Sequence, residues 1–208
     1  IWMISGLGFD AAADLYTKGI RINDLKPGSK RFEELPIAAQ SYLIYKPMKK
    51  IPHNSIEGFV NQFMPNKYKQ DINYDIVGSY RRKTPFSRDI DILWYNYKSP
   101  FDLSEYNWHI YSKGIDKISG IFTTKSGKTV KIDIWLVPNL SYKGPMKLYA
   151  TGSKMFNIRQ RMQAKKLGYK LNQQGLFNLS TNKRINADTE KDLFKVLNME
   201  YKEPEMRH

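Results

Sequence analysis

The sequence contains no cysteine, and only three of its 208 residues are histidine. Without cysteine the chain can form neither a disulfide bond nor a metal site built on thiolates. The histidines, His53, His109 and His208, show no spacing typical of metal ligands, and we expect none of them to be catalytic. This composition is compatible with a protein that works inside a cell.

Long apolar runs are also missing and the mean hydropathy is low, which together exclude a transmembrane helix. No signal peptide is visible, and a membrane is not expected among the partners. The chain opens on Ile1 rather than Met, so we expect further residues upstream.

Acidic residues are outnumbered, because 20 Asp and Glu stand against 34 Lys and Arg and leave a net charge of +14. A surplus of this size creates an electric field that attracts polyanions such as nucleic acids. An ordinary basic surface would have the same composition, so the charge alone does not assign a function.

Two short segments, Asp89-Ile90-Asp91 and Ile132-Asp133-Ile134, alternate Asp with Ile, which is the period of a β-strand. Residues two apart on a strand face the same way, so Asp89 and Asp91 should lie side by side. If Asp133 stands on a neighbouring strand, three carboxylates meet at one place. Such a cluster suits a hard cation with oxygen ligands, usually Mg²⁺ when a substrate phosphate completes its coordination.

Upstream of these acids, Gly78-Ser79-Tyr80-Arg81-Arg82 has the residue types that a bound triphosphate needs. Glycine allows close approach of the backbone, serine donates a hydrogen bond, and arginine offers forked donors. A single Asp at a strand edge, or a single Gly-Ser turn, is more often structural. The order of Gly-Ser, then Asp-x-Asp, then one Asp on a later apolar strand is specific and indicates a nucleotidyltransferase palm.

Local patterns predict the remaining elements. Alternation and turn residues predict strands over 72–79, 89–97, 108–111, 118–124 and 129–137, with a hairpin over 171–177. Helices are predicted over 9–18, 36–45, 55–63 and 151–167, and from Thr189, where Thr189 and Asp192 resemble a capping box. Before the first helix, Gly6 and Gly8 permit a tight turn. This turn is typical of a helix-hairpin-helix that clamps DNA phosphates, although an ordinary turn between packed helices is the alternative.

At these motifs the chain resembles the family X DNA polymerases, the polymerase beta-like group. The resemblance covers essentially the whole chain, but the amino-terminal lyase domain of the family has no counterpart here. The segments that carry it are Ser5-Gly6-Leu7-Gly8, Lys49-Lys50-Ile51-Pro52, the Gly-Ser and Asp motifs, Ser112-Lys113-Gly114, Tyr149-Ala150-Thr151-Gly152-Ser153 and Tyr201-Lys202-Glu203-Pro204.

The resemblance implies an α+β fold, in which a nucleotidyltransferase palm with a mixed β-sheet follows a helical DNA-binding subdomain and precedes a small α+β subdomain. We expect the helix-hairpin-helix subdomain over 1–51, the catalytic palm over 52–138 and the C-terminal nucleotide-selection subdomain over 139–208. The expected reaction is template-directed transfer of dNMP from dNTP to a primer 3′-hydroxyl with release of pyrophosphate.

The resemblance also implies the cofactors. Asp89, Asp91 and Asp133 would be the catalytic residues and would bind two Mg²⁺ ions, for which Mn²⁺ could substitute. At the hairpin, a monovalent cation, Na⁺ or K⁺, would be held by backbone carbonyls. Those carbonyls belong to Trp2, Ile4 and Leu7.

Further residues would contact the two substrates. Residues expected to bind the incoming nucleotide are Lys50, Gly78, Ser79, Arg82, Arg88, Tyr149, Gly152 and Asn157. Residues expected to bind DNA are Gly6, Gly8, Lys131 and Arg161. The expected partners are primer–template or gapped DNA and a dNTP, with the protein acting as a monomer.

Five positions depart from the family pattern. Arg88 replaces a small residue just before the first acid, and Phe9 replaces a common proline of the hairpin. Ala150 replaces the aromatic residue usual in the polymerase beta branch, Trp135 stands where that branch carries an arginine, and Lys50 replaces an arginine. The closing motion, the sugar selection and the switch that involve those side chains therefore cannot be assumed.

The expected setting is short-gap filling in base excision repair, and a nuclear or a viral origin would both fit. A template-independent terminal transferase is one alternative, but that branch carries a long loop before the third acid, and the stretch over 121–133 is short. A DNA-binding module with an inactive site is the other alternative.

Overall fold

The computed structural model describes residues 4–64, 73–95 and 107–208. Trp2 and the outer ends of two predicted strands, at 72 and at 96–97, lie outside these ranges. Within them, no helix is both long enough and apolar enough to cross a bilayer.

Three helices open the described part of the chain, most of the strands follow in its middle, and helices with a short hairpin complete it. The helices are α1 (Phe9–Thr17), α2 (Lys30–Glu33), α3 (Ile37–Tyr45), α4 (Ile56–Phe63), α5 (Gly78–Arg81), α6 (Lys143–Thr151), α7 (Lys154–Lys166) and α8 (Glu190–Val196). The strands are β1 (Ile51–Pro52), β2 (Asn73–Ile76), β3 (Phe86–Ser87), β4 (Ile90–Tyr95), β5 (Trp108–Lys113), β6 (Lys117–Thr123), β7 (Thr129–Val137), β8 (Tyr169–Asn172) and β9 (Gly175–Asn178).

A mixed five-stranded sheet lies at the centre, with the strand order β2-β4-β7-β6-β5. Strands β4 and β7 run parallel, and the other pairs are antiparallel. Even-numbered residues of β4 and β7, such as Ile92 and Ile134, are fully buried and pack with Phe63 of α4 in the largest core. The expected α+β fold with a mixed sheet is therefore confirmed.

The opposite face of the sheet divides into two parts. Leu93 and Val137 pack against Met146 and Ala150 of α6 in a second, smaller core. The charged residues of the same strands lie towards the other end of this face. Apolar packing therefore fixes the sheet next to the place where the acidic residues converge.

The helices before the sheet have a separate apolar core that includes Phe32 and Leu35. This helical part contacts the edge of the sheet through Ser41 on α3, whose hydroxyl oxygen lies 2.9 Å from the Nε2 atom of His109 on β5. The ring of Tyr45 stacks on the same imidazole.

Three local predictions were wrong or incomplete. The strand predicted over 72–79 ends at Ile76, because Gly78 has a φ of +62° and starts the helical turn α5. The helix predicted over 151–167 is interrupted: α6 ends at Thr151, and α7 begins after Ser153, whose side chain accepts a hydrogen bond from the Phe156 amide. Helix α6 was not predicted.

A buried ion network joins α5 to the C-terminal part of the chain. Glu190 at the start of α8 accepts hydrogen bonds from Arg81 at 2.6 and 2.8 Å and from Arg207 at 2.7 Å. The Arg207 side chain has no exposed area, and its guanidinium lies against the rings of Phe194 and Tyr201. Burial opposes ionisation of Glu190, but the two arginines outweigh it and hold the pKa of this carboxyl below its usual value.

We expect Glu190→Gln to destabilise the protein by about 3 kcal/mol at neutral pH, because it leaves the buried Arg207 and the partly buried Arg81 without their counter-charge. Since the folded-state pKa of Glu190 is lowered, its contribution is complete above the unfolded value of about 4.3 and is lost as the pH falls through the folded value. Denaturant unfolding between neutral and acidic pH measures both effects.

The control for this experiment is Glu200→Gln, at an exposed position close to the same helix. It should unfold like the parent chain at every pH. An undiminished difference between Glu190→Gln and the parent chain in strong acid would contradict the assignment of the effect to this carboxylate.

Candidate active site

The structure brings the three predicted acids to one end of the sheet. Asp91 on β4 lies directly opposite Asp133 on β7 in the parallel register, and Asp89 immediately precedes β4. The ammonium of Lys131 lies 3.1 Å from Asp89 Oδ2 and 3.6 Å from Asp133 Oδ2. One cation therefore bridges carboxylates from two separate stretches of chain.

Burial makes it unfavourable for all three carboxylates of this cluster to be charged at once. Desolvation, together with the charges of Asp89 and Asp133, raises the pKa of Asp91 to about 7. Burial lowers the pKa of Lys131, but Asp133 and Asp89 outweigh it and raise that pKa above its usual value. Asp133 is 4% exposed and forms an ion pair of 2.8 Å with Lys117.

The residues at this end of the sheet fit divalent cations that prefer oxygen ligands. Three carboxylates lie at this end of the sheet, and Asp133 Oδ1 is buried with no hydrogen-bond partner among the described residues. In the arrangement described, no three His, Asp or Glu side chains in the described ranges are grouped closely enough to hold an ion. Instead, lysine ammonium groups form ion pairs with two of the carboxylates, those of Asp89 and Asp133.

The Gly-Ser turn lies against the second acid. A Cβ atom on Gly78 would stand 2.1 Å from Asp91 Oδ2, so only glycine fits between the turn and this carboxylate. The hydroxyl of Ser79 donates to Ser87 at 2.6 Å. The guanidinium of Arg82 donates to the carbonyl of Thr151 and lies beside Gly152.

A cleft of about 700 Å³ opens between the helical part and the sheet, next to the acids. The Nζ atom of Lys50 lies 5.6 Å from the centre of the Phe86 ring. The charged residues that line the cleft are Lys49, Lys50, Arg88, Asp89 and Lys131. Four cations thus face one side of the acid cluster, where a polyanionic substrate would enter.

Three residues predicted to contact the nucleotide or the template line a second depression. Tyr149 of α6 and Asn157 and Arg161 of α7 border it together. The Asn157 amide donates to the carbonyl of Tyr149 at 2.8 Å, and Arg161 donates to the carbonyl of Asn157 at 3.3 Å. Gly152, with a φ of +71°, forms the bend that sets α7 against α6.

The hairpin residues lie before α1. The Leu7 amide donates to the carbonyl of Ile4 at 3.3 Å, and Gly8 caps the helix. Gly6 has a φ of +86°, and a Cβ there would stand 2.5 Å from the Ala38 Cβ. The third predicted carbonyl, that of Trp2, lies outside the described residues, so the monovalent cation site stays a prediction.

The sequence did not single out Lys117. It stands on β6 next to the acids because β6 pairs with β7, where Lys117 is the register partner of Trp135. In the sequence, the one sign that Lys117 has a place in the site is that a charged residue stands at the start of a largely apolar strand.

Comparison with known proteins places this arrangement in a family. The repair DNA polymerase X of African swine fever virus, Badajoz 1971 strain, is 32% identical over 144 residues, which are 65% of this chain and 81% of that protein. The chain belongs to the family X DNA polymerases. The same enzyme from the Tick/Malawi isolate is also 32% identical over the same shares.

Other comparisons agree with this family X assignment. The family model described as DNA polymerase beta thumb matches residues 146–208. A crystal structure of Leishmania infantum polymerase beta in a ternary P/T complex is 26% identical, with a TM-score of 0.77 over 100% of this chain and 96% of that chain.

We expect Gly78→Ala to disturb the site more than the fold. The new methyl group would collide with Asp91 Oδ2, and the positive φ disfavours alanine by roughly 1–2 kcal/mol. Primer extension should fall by more than about tenfold, because the collision displaces a carboxylate of the acid cluster. Thermal unfolding and single-turnover extension measure the two effects.

Gly58→Ala is the matched control, since no heavy atom lies within 4 Å of a Cβ built at Gly58 in α4. It should keep full activity and change stability by no more than about 1 kcal/mol. Full activity in Gly78→Ala would show that the contact between the turn and Asp91 is not needed.

Proposed function

We propose that this family X polymerase adds dNMP to a primer 3′-hydroxyl under the direction of a template strand and releases pyrophosphate. The observation that supports this reaction most is the meeting of Asp89, Asp91 and Asp133 beside a Gly-Ser turn and a cationic cleft. Phosphoryl transfer requires little covalent chemistry from a protein, so positioning and charge stabilisation carry most of the catalysis.

The three aspartates position the reacting groups relative to one another. Two Mg²⁺ ions, or Mn²⁺ in their place, would supply the Lewis acidity that activates the primer hydroxyl and neutralises the leaving pyrophosphate. Asp89 and Asp91 would hold both ions, and Asp133 would hold only the one that activates the primer hydroxyl. Asp133 would also help to take the proton that leaves the primer hydroxyl. The lack of a hydrogen-bond partner for its Oδ1 atom among the described residues supports this role.

The triphosphate lies along the Gly-Ser turn. Ser79 donates a hydrogen bond and Arg82 provides a forked donor, while Gly78 lets the backbone approach. Lys50 and Arg88 reach the phosphates from the cleft side. Since Lys50 is a point charge rather than a fork, this contact depends on charge more than on geometry.

Sugar, base and DNA contacts follow from α6, α7 and the hairpin. Tyr149 and Gly152 pack against the sugar, Asn157 contacts the minor-groove edge of the incoming base, and Arg161 contacts the template strand. Lys131 adds a contact to the DNA. Gly6 and Gly8, with a Na⁺ or K⁺ ion, hold a DNA phosphate.

The biological setting is short-gap filling in DNA repair, on gapped or primer–template DNA and by a monomer. The viral relatives are named repair polymerases, and the Leishmania neighbour is described in a ternary P/T complex. Both support DNA as the partner. The viral relatives favour an infected host cell or virion as the place of action, although a nuclear origin fits the same chemistry.

Template-independent transfer is disfavoured by the connection between β6 and β7. Strand β6 ends at Thr123 and β7 begins at Thr129, so the two strands form a hairpin with a short turn. A long loop before the third acid has no place there.

We expect Asp133→Ala to reduce primer extension on gapped duplex by more than about a hundredfold, because even groups that only orient a metal ligand cost 10–100-fold when removed. Affinity for gapped DNA, measured by fluorescence anisotropy, should change little. Asp14→Ala, on the exposed face of α1, is the matched control and should retain activity.

The same assay separates the alternatives. Extension of an unprimed single strand without template would favour the terminal transferase, and retained extension by Asp133→Ala would contradict the proposed mechanism. DNA binding by the parent chain without any extension would favour the inactive module.

A further inference from the structure

Trp135 lies on the face of the sheet that carries the acids. It stands at the boundary between the charged part of that face and the part that packs against α6. Lys131, Asp133 and Trp135 alternate along β7 and therefore share this face. Across the sheet, Trp135 is the register partner of Leu93 on β4 and of Lys117 on β6. One side of the indole faces the acids, and the other packs against the small core that contains Ala150.

Three contacts fix the indole in this position. Its Nε1–H donates to Asp91 Oδ1 at 3.2 Å. The ring of Tyr149 packs edge to face against it, with centroids 5.4 Å apart and planes at 74°. The ammonium of Lys117 lies 4.5 Å from the ring centroid while it also contacts Asp133.

A neutral donor has a different effect from a cation on a carboxylate that must bind a metal. The indole N–H orients the carboxylate but leaves its charge in place, and each carboxylate oxygen has a second lone pair. The ammonium of Lys117 neutralises Asp133 and competes with any ion that binds there. Outer hydrogen bonds that orient ligands typically strengthen metal binding.

We propose that Trp135 is a positioning residue that orients Asp91 for cation binding and is itself held in place by Tyr149. This inference rests on the proposed function, because it takes Asp91 as an ion ligand. Tyr149 then has two tasks, since the ring that contacts the nucleotide sugar also supports the side chain that orients an acid.

Two departures from the family pattern are consistent with this arrangement. An indole occupies the position where the polymerase beta branch carries an arginine, and Ala150, in the core that the indole packs against, is small where that branch has an aromatic ring. A small residue at 150 leaves room for a large one at 135.

The test is the affinity for Mn²⁺ alone, measured by electron paramagnetic resonance without DNA or nucleotide. Trp135→Phe keeps the aromatic ring but removes the donor, and should weaken binding by roughly tenfold. Lys117→Met should have the opposite sign and tighten binding by about threefold, because it removes a competing cation. Trp94→Phe, on the opposite face of the same sheet, is the matched control and should bind like the parent chain.

Unchanged Mn²⁺ affinity in Trp135→Phe, or an equal loss in Trp94→Phe, would overturn the positioning role. Failure of the proposed function looks different, because the parent chain would then extend no primer at all. Tyr149→Ala provides a second measurement: it removes the support of the indole and should also weaken Mn²⁺ binding, although Tyr149 is not itself an expected ion ligand.

Fluorine NMR of the 5-fluorotryptophan-labelled parent chain needs no change at position 135. The Trp135 signal is assigned as the one that remains in the spectrum of each of three single variants, Trp2→Phe, Trp94→Phe and Trp108→Phe. It should shift during a Mg²⁺ titration, and a stationary signal at saturating Mg²⁺ would contradict the inference.

Discussion

Carboxylates that converge on two adjacent strands repel one another unless positive charge lies among them. In this protein Lys131 bridges Asp89 and Asp133, and Lys117 pairs with Asp133. These cations compensate part of the charge, while the partly buried Asp91 retains a raised pKa. The negative charge that remains suits a divalent cation with oxygen ligands, as the proposed reaction requires.

The rest of the fold holds the carboxylates at fixed positions. Two apolar cores lie on opposite faces of the sheet, so β4 and β7 are held from both sides. The Gly-Ser turn contacts Asp91 directly, and Arg81 of the same turn is tied to Glu190 near the C-terminus. The Gly-Ser turn and the C-terminal part are therefore connected through one ion network.

Much of the sheet could be predicted because its alternation is regular. Strand β7 has the predicted bounds, and the period of two correctly placed Asp91 and Asp133 on one face. Helix α6 escaped prediction because Gly144 and Pro145 near its start resemble a break. A Cβ on Gly144 would stand 2.1 Å from the carbonyl oxygen of Asp188, so this glycine serves a close contact between distant segments. Contacts of this kind, like those of Trp135, depend on register and cannot be derived from local sequence.

The parallel pairing of β4 with β7 also has a consequence for folding. The strands that carry Asp91 and Asp133 are neighbours in space, but Tyr95 and Thr129 are separated by the chain that forms β5 and β6. Closing such a long connection has an entropic cost before its contacts form, which makes non-local pairing slow. Asp91 and Asp133 become neighbours only when this pairing forms, so a chain in which β4 and β7 are not yet paired lacks the assembled acid cluster.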